Sequence, residues 1–416
     1  MNIRKLLKSG SIITLINIVT ALVGVVGVFY ISKSLGLKNS GEFYFIISFI
    51  MIIIRVLNVS PWQAVIKFHS EKQSIIYQGI KLETFGAMVT ILIFISSYKI
   101  SLINIDDDNL QLLVLIVGVL SILCRSNGTL IGYLRLKNKF NIVEIFRCIG
   151  EFSKLISFFI INVNSPTSVE NALISFIVGE MIVFASYVSY SIYISGKGLK
   201  EVFKIFYIKI DRDFLKYAIL ANFNASLVGS VKTADEYVLG IISDSTSVGI
   251  YKIIKTTASS IGLITDPLQM LIFPDFVYSF RKGGIKNSFS KIRSVHTVLA
   301  SVSVLVLALT YYLWPYVVWL ITENSSIENR LELMFYLLSV LVLANFFYLQ
   351  PACMALGYVL KLLYINIISV TLFFFMCFVI NLFLTGLFSV ILSYLIFSLS
   401  SVAMRIYILR RGVNAC

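Results

Sequence analysis

Charge is scarce in this chain. Of its 416 residues, 13% are Asp, Glu, Lys or Arg and 58% are hydrophobic. An ordinary soluble domain is about a quarter charged and roughly half apolar. The shortage argues against a soluble globular protein and for a polytopic membrane protein. Acidic residues are scarcer than basic ones, 21 against 35, which leaves a formal net charge of +14. In a membrane protein that excess marks basic cytoplasmic loops rather than a nucleic-acid surface, so no nucleic-acid partner is expected. Histidine is nearly missing: His69 and His296 are the two, both in or beside loops. No HExxH, GxSxG or nucleotide-binding glycine loop occurs. The five cysteines, Cys124, Cys148, Cys353, Cys377 and Cys416, are scattered without a CxxC, which indicates neither a zinc site nor a disulfide framework. No metal and no cofactor is expected.

What the chain has in abundance is apolar runs of membrane length. A spanning helix needs ~20 apolar residues, and that rule places spans near 11–32, 43–66, 80–98, 111–133, 142–163, 172–194, 214–241, 249–273, 295–321, 331–356, 361–384 and 386–409. The basic start, MNIRKLLKSG, runs on into apolar sequence to about Ser32 with no small-residue cleavage site, so it reads as an uncleaved first helix. Lys and Arg concentrate in alternate loops, around residues 4–8, 67–72, 135–139, 197–212, 281–293 and 410–411. By the positive-inside rule both termini are expected in the cytoplasm. Twelve spans divide as a six-helix lobe at 1–194, a basic cytoplasmic linker at 195–213 and a second six-helix lobe at 214–416.

Two turns resemble each other half a chain apart. SLGLKNSGEFYFIISF (34–49) and VLGIISDSTSVGIYKIIKT (238–256) both read Leu-Gly, a polar turn, then Gly and an aromatic. Gly36 aligns with Gly240, Gly41 with Gly249, and the following helices meet Pro61 and Pro267. These glycines and prolines are the expected turns and hinges. The first and seventh spans share a direction, so the halves are parallel repeats, an arrangement that places a substrate site between them.

On these residues the chain resembles the polysaccharide-transport branch of the multidrug/oligosaccharidyl-lipid/polysaccharide (MOP) exporter superfamily, with Wzx-type O-antigen flippases nearest. The carrying residues are Leu35-Gly36 with Gly41-Glu42-Phe43-Tyr44, Asp235 with Leu239-Gly240 and Gly249-Ile250-Tyr251, and Pro274. One departure is NVSPWQAVIKF (58–68), where that family often has a glycine-rich turn. The resemblance implies an all-α protein of two parallel six-helix lobes around a central hydrated cavity, in the bacterial inner membrane. It implies a cargo of undecaprenyl-pyrophosphate-linked oligosaccharide, moved from the cytoplasmic to the periplasmic leaflet. It also implies the lipid bilayer, and the polymerase and chain-length regulator of the same pathway, as partners of a monomer.

The spans are not free of charge. A charge at mid-bilayer costs ~2.5–3.5 kcal/mol on insertion scales, so such residues face protein or a hydrated cavity. At 100° per residue, Glu144, Arg147, Glu151 and Lys154 form one stripe on the fifth span. Their i,i+3 and i,i+4 spacing also allows the stripe to neutralise itself and merely hold helices together. Arg55, Arg125, Arg147, Lys154, Lys252 and Lys255 are the candidate contacts to pyrophosphate, since Arg and Lys suit phosphate. The resemblance singles out Arg55 with Lys252 or Lys255. Glu144, Glu151, Glu180 and Asp266 are candidates for an inward-moving H⁺ or Na⁺. Asp266 also reads as a cap for a proline-kinked helix. Lys232, Asp235 and Glu236 would line the outer cavity, with Lys232 alternatively snorkelling to the surface. Three other readings stay open: a lipid II flippase, a drug/cation antiporter of the same superfamily, and a membrane glycan polymerase or acyltransferase.

Overall fold

The computed structural model describes residues 3–68, 74–99, 107–195, 208–259, 285–322, 329–356 and 358–414. Among them the secondary structure is helical, with no strand. In chain order the helices are α1 (Ile3–Leu57), α2 (Trp62–Phe68), α3 (Ile75–Lys99), α4 (Asp108–Arg125), α5 (Gly128–Leu136), α6 (Phe140–Asn164) and α7 (Val169–Ser195). They continue with α8 (Arg212–Ile242), α9 (Ser245–Ser259), α10 (Ile285–Thr322), α11 (Arg330–Asn345), α12 (Leu349–Ala355), α13 (Val359–Asn381) and α14 (Gly386–Asn414). Eight stretches among the described residues are long and apolar enough to cross a bilayer. The protein is an all-α polytopic membrane protein. Helices cross hydrocarbon because each satisfies its own backbone N–H and C=O groups.

Each predicted span is mostly helical where it is described; residues 260–273, with Asp266 and Pro267, and also Pro274, lie outside the described residues. The connection expected at 34–42 differs from a loop. Helix α1 runs through it, interrupted at Gly36 (φ 74°, ψ 166°), a conformation that glycine adopts without the Cβ clash other residues meet. Gly240, its repeat counterpart, lies inside α8, so the two turns share sequence more than backbone shape. Gly41 and Gly249 do meet: a Cβ on Gly41 would strike the Ser245 carbonyl, and one on Gly249 would strike the Leu37 carbonyl. The repeated glycines let these two segments touch backbone to backbone.

Three predicted spans are broken within the membrane pattern. The second stops at Leu57 and resumes as α2; the fourth stops at Arg125 and resumes as α5; the tenth stops at Asn345 and resumes as α12. Pro61 explains the first break. The residue before proline is pushed out of helical backbone, and the Pro61 carbonyl then accepts the Val65 N–H at 2.9 Å to start the new helix.

The chain divides into two compact units. One comprises residues 1–27 and 42–237, the other 28–41 and 238–416. In the first, Ala64 and Val65 of α2, Ile75 and Leu82 of α3, and Phe214 and Ala218 of α8 form one apolar core. A second core gathers Leu134, Val143 and Tyr187 from α5, α6 and α7. In the second unit, Leu349, Ala352 and Cys353 of α12 pack with Leu362 of α13 and with Val402 and Leu409 of α14. The outward face of α6 is apolar and exposed, at Ile145, Ile149, Phe152, Ile156, Phe159 and Val163. On the helical wheel that stripe lies nearly opposite Glu144, Arg147, Glu151 and Lys154, as expected for one face to lipid and one to protein.

Candidate functional site

The charged face of α6 meets α7 and the end of α4. Small residues bring the backbones together: a Cβ on Gly150 would collide with Val183, and one on Gly179 would collide with the Lys154 side chain and lie 2.9 Å from the Gly150 carbonyl oxygen. Close approach at small residues is how helices associate in lipid, where no hydrophobic force drives them together. It lets Lys154 cross Gly179 to reach the neighbouring Glu180.

Glu180 is the hub. Its Oε1 accepts from Arg125 Nη2 at 3.0 Å and from Lys154 Nζ at 2.9 Å. Lys154 also donates to Glu151 Oε1 at 2.9 Å. One turn away, Arg147 Nη1 donates to Glu144 Oε2 at 2.7 Å. The Glu180 side chain is 9% exposed and Lys154 19%, whereas Arg125 and Glu151 are 37% and Arg147 59% exposed. Three helices thus supply one graded network with a dry carboxylate at its centre and guanidinium groups at its edge. Arg125 keeps Nε without a protein partner, so part of its donor fork is unspent.

Arg55 adds a further cation to the same unit. It lies in the last turn of α1, exposed, with its guanidinium over Gly229 of α8, where a Cβ would collide with it. No carboxylate among the described residues pairs with Arg55. Arg55 and Arg125 lie within electrostatic reach of each other. Like charges held near one another favour any anion placed between them.

The other predicted residues fall as follows. Lys252 and Lys255 sit on α9 in the second unit, both half-buried, and the Lys255 Nζ lies 5.8 Å from the Tyr251 ring centre. Asp235 and Glu236 are buried in α8, at 0% and 4% exposure. The Lys232 side chain lies outside the described side chains. Asp266 and Pro267 lie outside the described residues. In the second unit Tyr251, Tyr336 and Tyr394 are buried core residues, with Tyr336 stacked on Tyr394 at 5.0 Å. Among the described residues no group of His, Cys, Asp and Glu is arranged to hold a metal.

Sequence reasoning passed over a polar knot at the two helix breaks of the first unit. Asn58 donates to Ser126 Oγ at 3.1 Å, linking the break after α1 to the break after α4. Asn222 of α8 donates to the Asn58 carbonyl at 3.1 Å and accepts from Ser60 N at 3.2 Å. Ser226 donates to the Arg55 carbonyl at 2.6 Å. Glu83 of α3, 3% exposed, accepts the N–H groups of Gly128 and Thr129 at 2.5 and 3.1 Å, one on each carboxylate oxygen. It caps α5 from another helix. A broken helix frees backbone groups that must be satisfied inside the protein, and these side chains do so. NVSP is legible as a break, but its partners come from helices remote in sequence. Arg405 was also missed; it donates to Asn366 Oδ1 at 3.3 Å in the second unit and leaves Nε without a protein partner.

Residues 6–280 match the family described as "Polysaccharide biosynthesis protein". No curated protein sequence matches the chain. Among solved structures, the fold is similar to an inward-facing multidrug resistance MATE family transporter of the MOP superfamily, with TM-score 0.72 and 13% identity over 95% of each chain. It is similar to the lipid II flippase MurJ in an inward closed conformation, with TM-score 0.75 and 14% identity over 96% of this chain and 87% of that one. It is also similar to a mutant of the Vibrio cholerae MATE transporter VcmN, with TM-score 0.60 and 12% identity over 99% of this chain and 98% of that one. At these identities the likeness is one of fold.

Proposed function

The chain belongs to the polysaccharide biosynthesis protein family, and from that premise we propose that it is a flippase for undecaprenyl-pyrophosphate-linked repeat units of the O-antigen type. It moves them from the cytoplasmic to the periplasmic leaflet of a bacterial inner membrane by alternating access, with both termini in the cytoplasm. It acts as a transporter, not an enzyme, and hands its cargo to the polymerase and chain-length regulator of the same pathway. The cargo's sugars and pyrophosphate cannot cross hydrocarbon unaided, while its lipid tail stays in the bilayer.

The observation that carries this reading is the pair Arg55 and Arg125. The two guanidinium groups feel each other's charge, one with no carboxylate partner among the described residues and the other with an unused Nε. Guanidinium forks match phosphate oxygens. In the network itself Arg125, Arg147 and Lys154 balance Glu144, Glu151 and Glu180, so Arg55 beside it is the added positive charge, which suits an anionic head group better than a cationic drug. In the second unit Lys252 and Lys255 are the candidate phosphate contacts. With the cytoplasm negative, export of one negative charge is favoured by ~2.3 kcal/mol per 100 mV. A lipid II flippase would share the pyrophosphate chemistry and is separated from this reading by essentiality of the gene.

The test is deletion in the native strain, with surface glycan and lipid-linked unit measured together. Loss of surface repeats with accumulation of the lipid-linked unit is the expected result. Single repeats that still reach the surface without chain growth would sink the reading in favour of a polymerase.

A further inference from the structure

The carboxylates Glu144, Glu151 and Glu180 each hold a cation already: Arg147, Lys154, and Arg125 with Lys154. Protonating any of them would leave a lysine or arginine uncompensated in the membrane, which is costly. Glu83 differs. It is as buried as Glu180, yet its partners are the two backbone N–H groups that open α5. The ionisable groups on the surrounding elements are engaged elsewhere. Lys67 of α2 lies 3.9 Å from the Tyr217 ring centre, Arg135 of α5 lies 4.6 Å from that of Trp62, and Lys81 of α3 donates to the Ile208 carbonyl. Arg125 is on Glu180 and Arg55 lies over Gly229. Cys124 of α4 is buried, and Lys137 lies 5.8 Å from the Tyr133 ring of α5. None forms an ion pair with Glu83.

A second observation sits beside the carboxylate. Thr129 is 0% exposed, and its Oγ1 lies beside the Glu83 carboxylate with no other partner, while Glu83 is also bonded to the Thr129 backbone. A buried hydroxyl beside an ionised carboxylate is placed to donate to it, and its oxygen keeps lone pairs that can accept. Ionised Glu83 has only acceptors; protonated Glu83 has one O–H to donate.

We propose that Glu83 binds the coupling cation of this transporter, as a proton, and that its protonation loosens the break between α4 and α5. The inference rests on the transport reading above. The step is Glu83–COO⁻ + H⁺ → Glu83–COOH. The negative charge that faces the N-terminus of α5 disappears, one of the two strong N–H bonds weakens, and the new O–H turns to Thr129 Oγ1. A helix N-terminus that loses its anion loses stabilisation there. The break is joined to the α1–α2 break through Asn58 and Ser126, and through Asn222 to α8, so the charge change is delivered where three interrupted or neighbouring helices are tied. A proton suits this site better than Na⁺. Hard cations take several oxygen ligands, and the groups aimed at Glu83 are N–H donors, with the Ser60 and Thr129 hydroxyls the other oxygens nearby.

The test is infrared difference spectroscopy on the purified full chain in nanodiscs, titrated from about pH 4 to 9, from the ordinary glutamate value through its buried-site tail. The wild type is expected to gain a protonated-carboxyl band that Glu83→Gln abolishes and Glu180→Gln leaves in place. Thr129→Val keeps the backbone N–H but removes the new acceptor, and is expected to move that band to higher frequency. A band that survives Glu83→Gln, or no titrating band in the wild type, overturns the proposal. If Glu83→Gln does not fold, an unmoved band in Thr129→Val overturns it alone. In cells, glycan export by Glu83→Gln is expected to lose its response to collapse of the pH gradient, which a merely structural cap would retain. Absence of lipid-linked unit in the deletion strain would remove the flippase reading while leaving the infrared result standing.

Discussion

The two units are built from similar apolar helices but spend their polar groups differently. The first concentrates charge: Glu180 binds two cations at once, α6 carries a four-residue charged stripe, and Glu83 caps a broken helix from a distance. In the second, the α11, α13 and α14 bundle is held by buried rings and by serines that fold back on their own helices. Tyr336 stacks on Tyr394, and Ser339, Ser389 and Ser393 each donate to a carbonyl four residues earlier. Serine satisfied that way costs little. Charged groups in hydrocarbon are expensive, so the ion-pair network of the first unit, among the described residues, marks a place that does more than hold the protein together.

The sharpest way to break this contrast is at Glu180. Glu180→Ala leaves Arg125 and Lys154 without their shared carboxylate and is expected to cost about 3–5 kcal/mol, read as a fall in thermal stability in detergent. Replacing all three residues together by Met or Gln should recover much of that loss; no recovery would mean that Glu180 acts by packing rather than charge. In the second unit Tyr336→Ala is expected to cost a similar ~3–5 kcal/mol by opening a cavity. Tyr336→Phe, which keeps the ring, should stay within about 1 kcal/mol. A large loss in Tyr336→Phe would show that the phenol, not the stack, matters.

Gly179→Val tests the close approach of α6 and α7. The added methyls meet Lys154 and the Gly150 carbonyl, and a cost of about 1–3 kcal/mol is expected. The ion pairs with Glu180 would separate in the same variant. Outside the spans, Asp244 precedes α9 and accepts from the Ser247 hydroxyl and N–H. The Ser247 hydroxyl holds its carboxyl below the usual carboxylate range. A depressed folded value means stability present above the unfolded value and lost as pH falls through the folded one. Asp244→Ala should therefore cost about 0.5–2 kcal/mol at neutral pH, and the gap to wild type should close below about pH 4.

The smallest expected change in stability is at Arg55, exposed and without a carboxylate partner among the described residues. Arg55→Gln should stay within about 0.5 kcal/mol of wild type yet cause the lipid-linked unit to accumulate. A variant that unfolds instead, or that exports normally, would remove Arg55 from the cargo site.

Much of the ionic network was legible before folding. The stripe on α6 follows from 3.6-residue geometry, and two of its ion pairs, Arg147 with Glu144 and Lys154 with Glu151, are i,i+3 contacts that local spacing dictates. The pairing of Lys154 and Arg125 with Glu180 was not legible, because it joins α4, α6 and α7 across sequence separations that periodicity does not reach. Glu83 shows the same limit more strongly. Read along the chain it is a polar residue near the start of a span; its role depends on two backbone N–H groups about 45 positions away.

By itself the sequence determined that the chain lives in a membrane, where its helices run, and which helix faces are charged. Those properties follow from local quantities: the length and hydropathy of each run, and the fixed angular step of a helix. Only the tertiary structure decided which cations share Glu180, which side chains satisfy the interrupted helices, and which carboxylate caps α5 without an ion pair. In hydrocarbon an unsatisfied polar group costs several kcal/mol, so the partner of a group such as Glu180 or Glu83 is set by which helix packing brings to it, not by its place along its own helix.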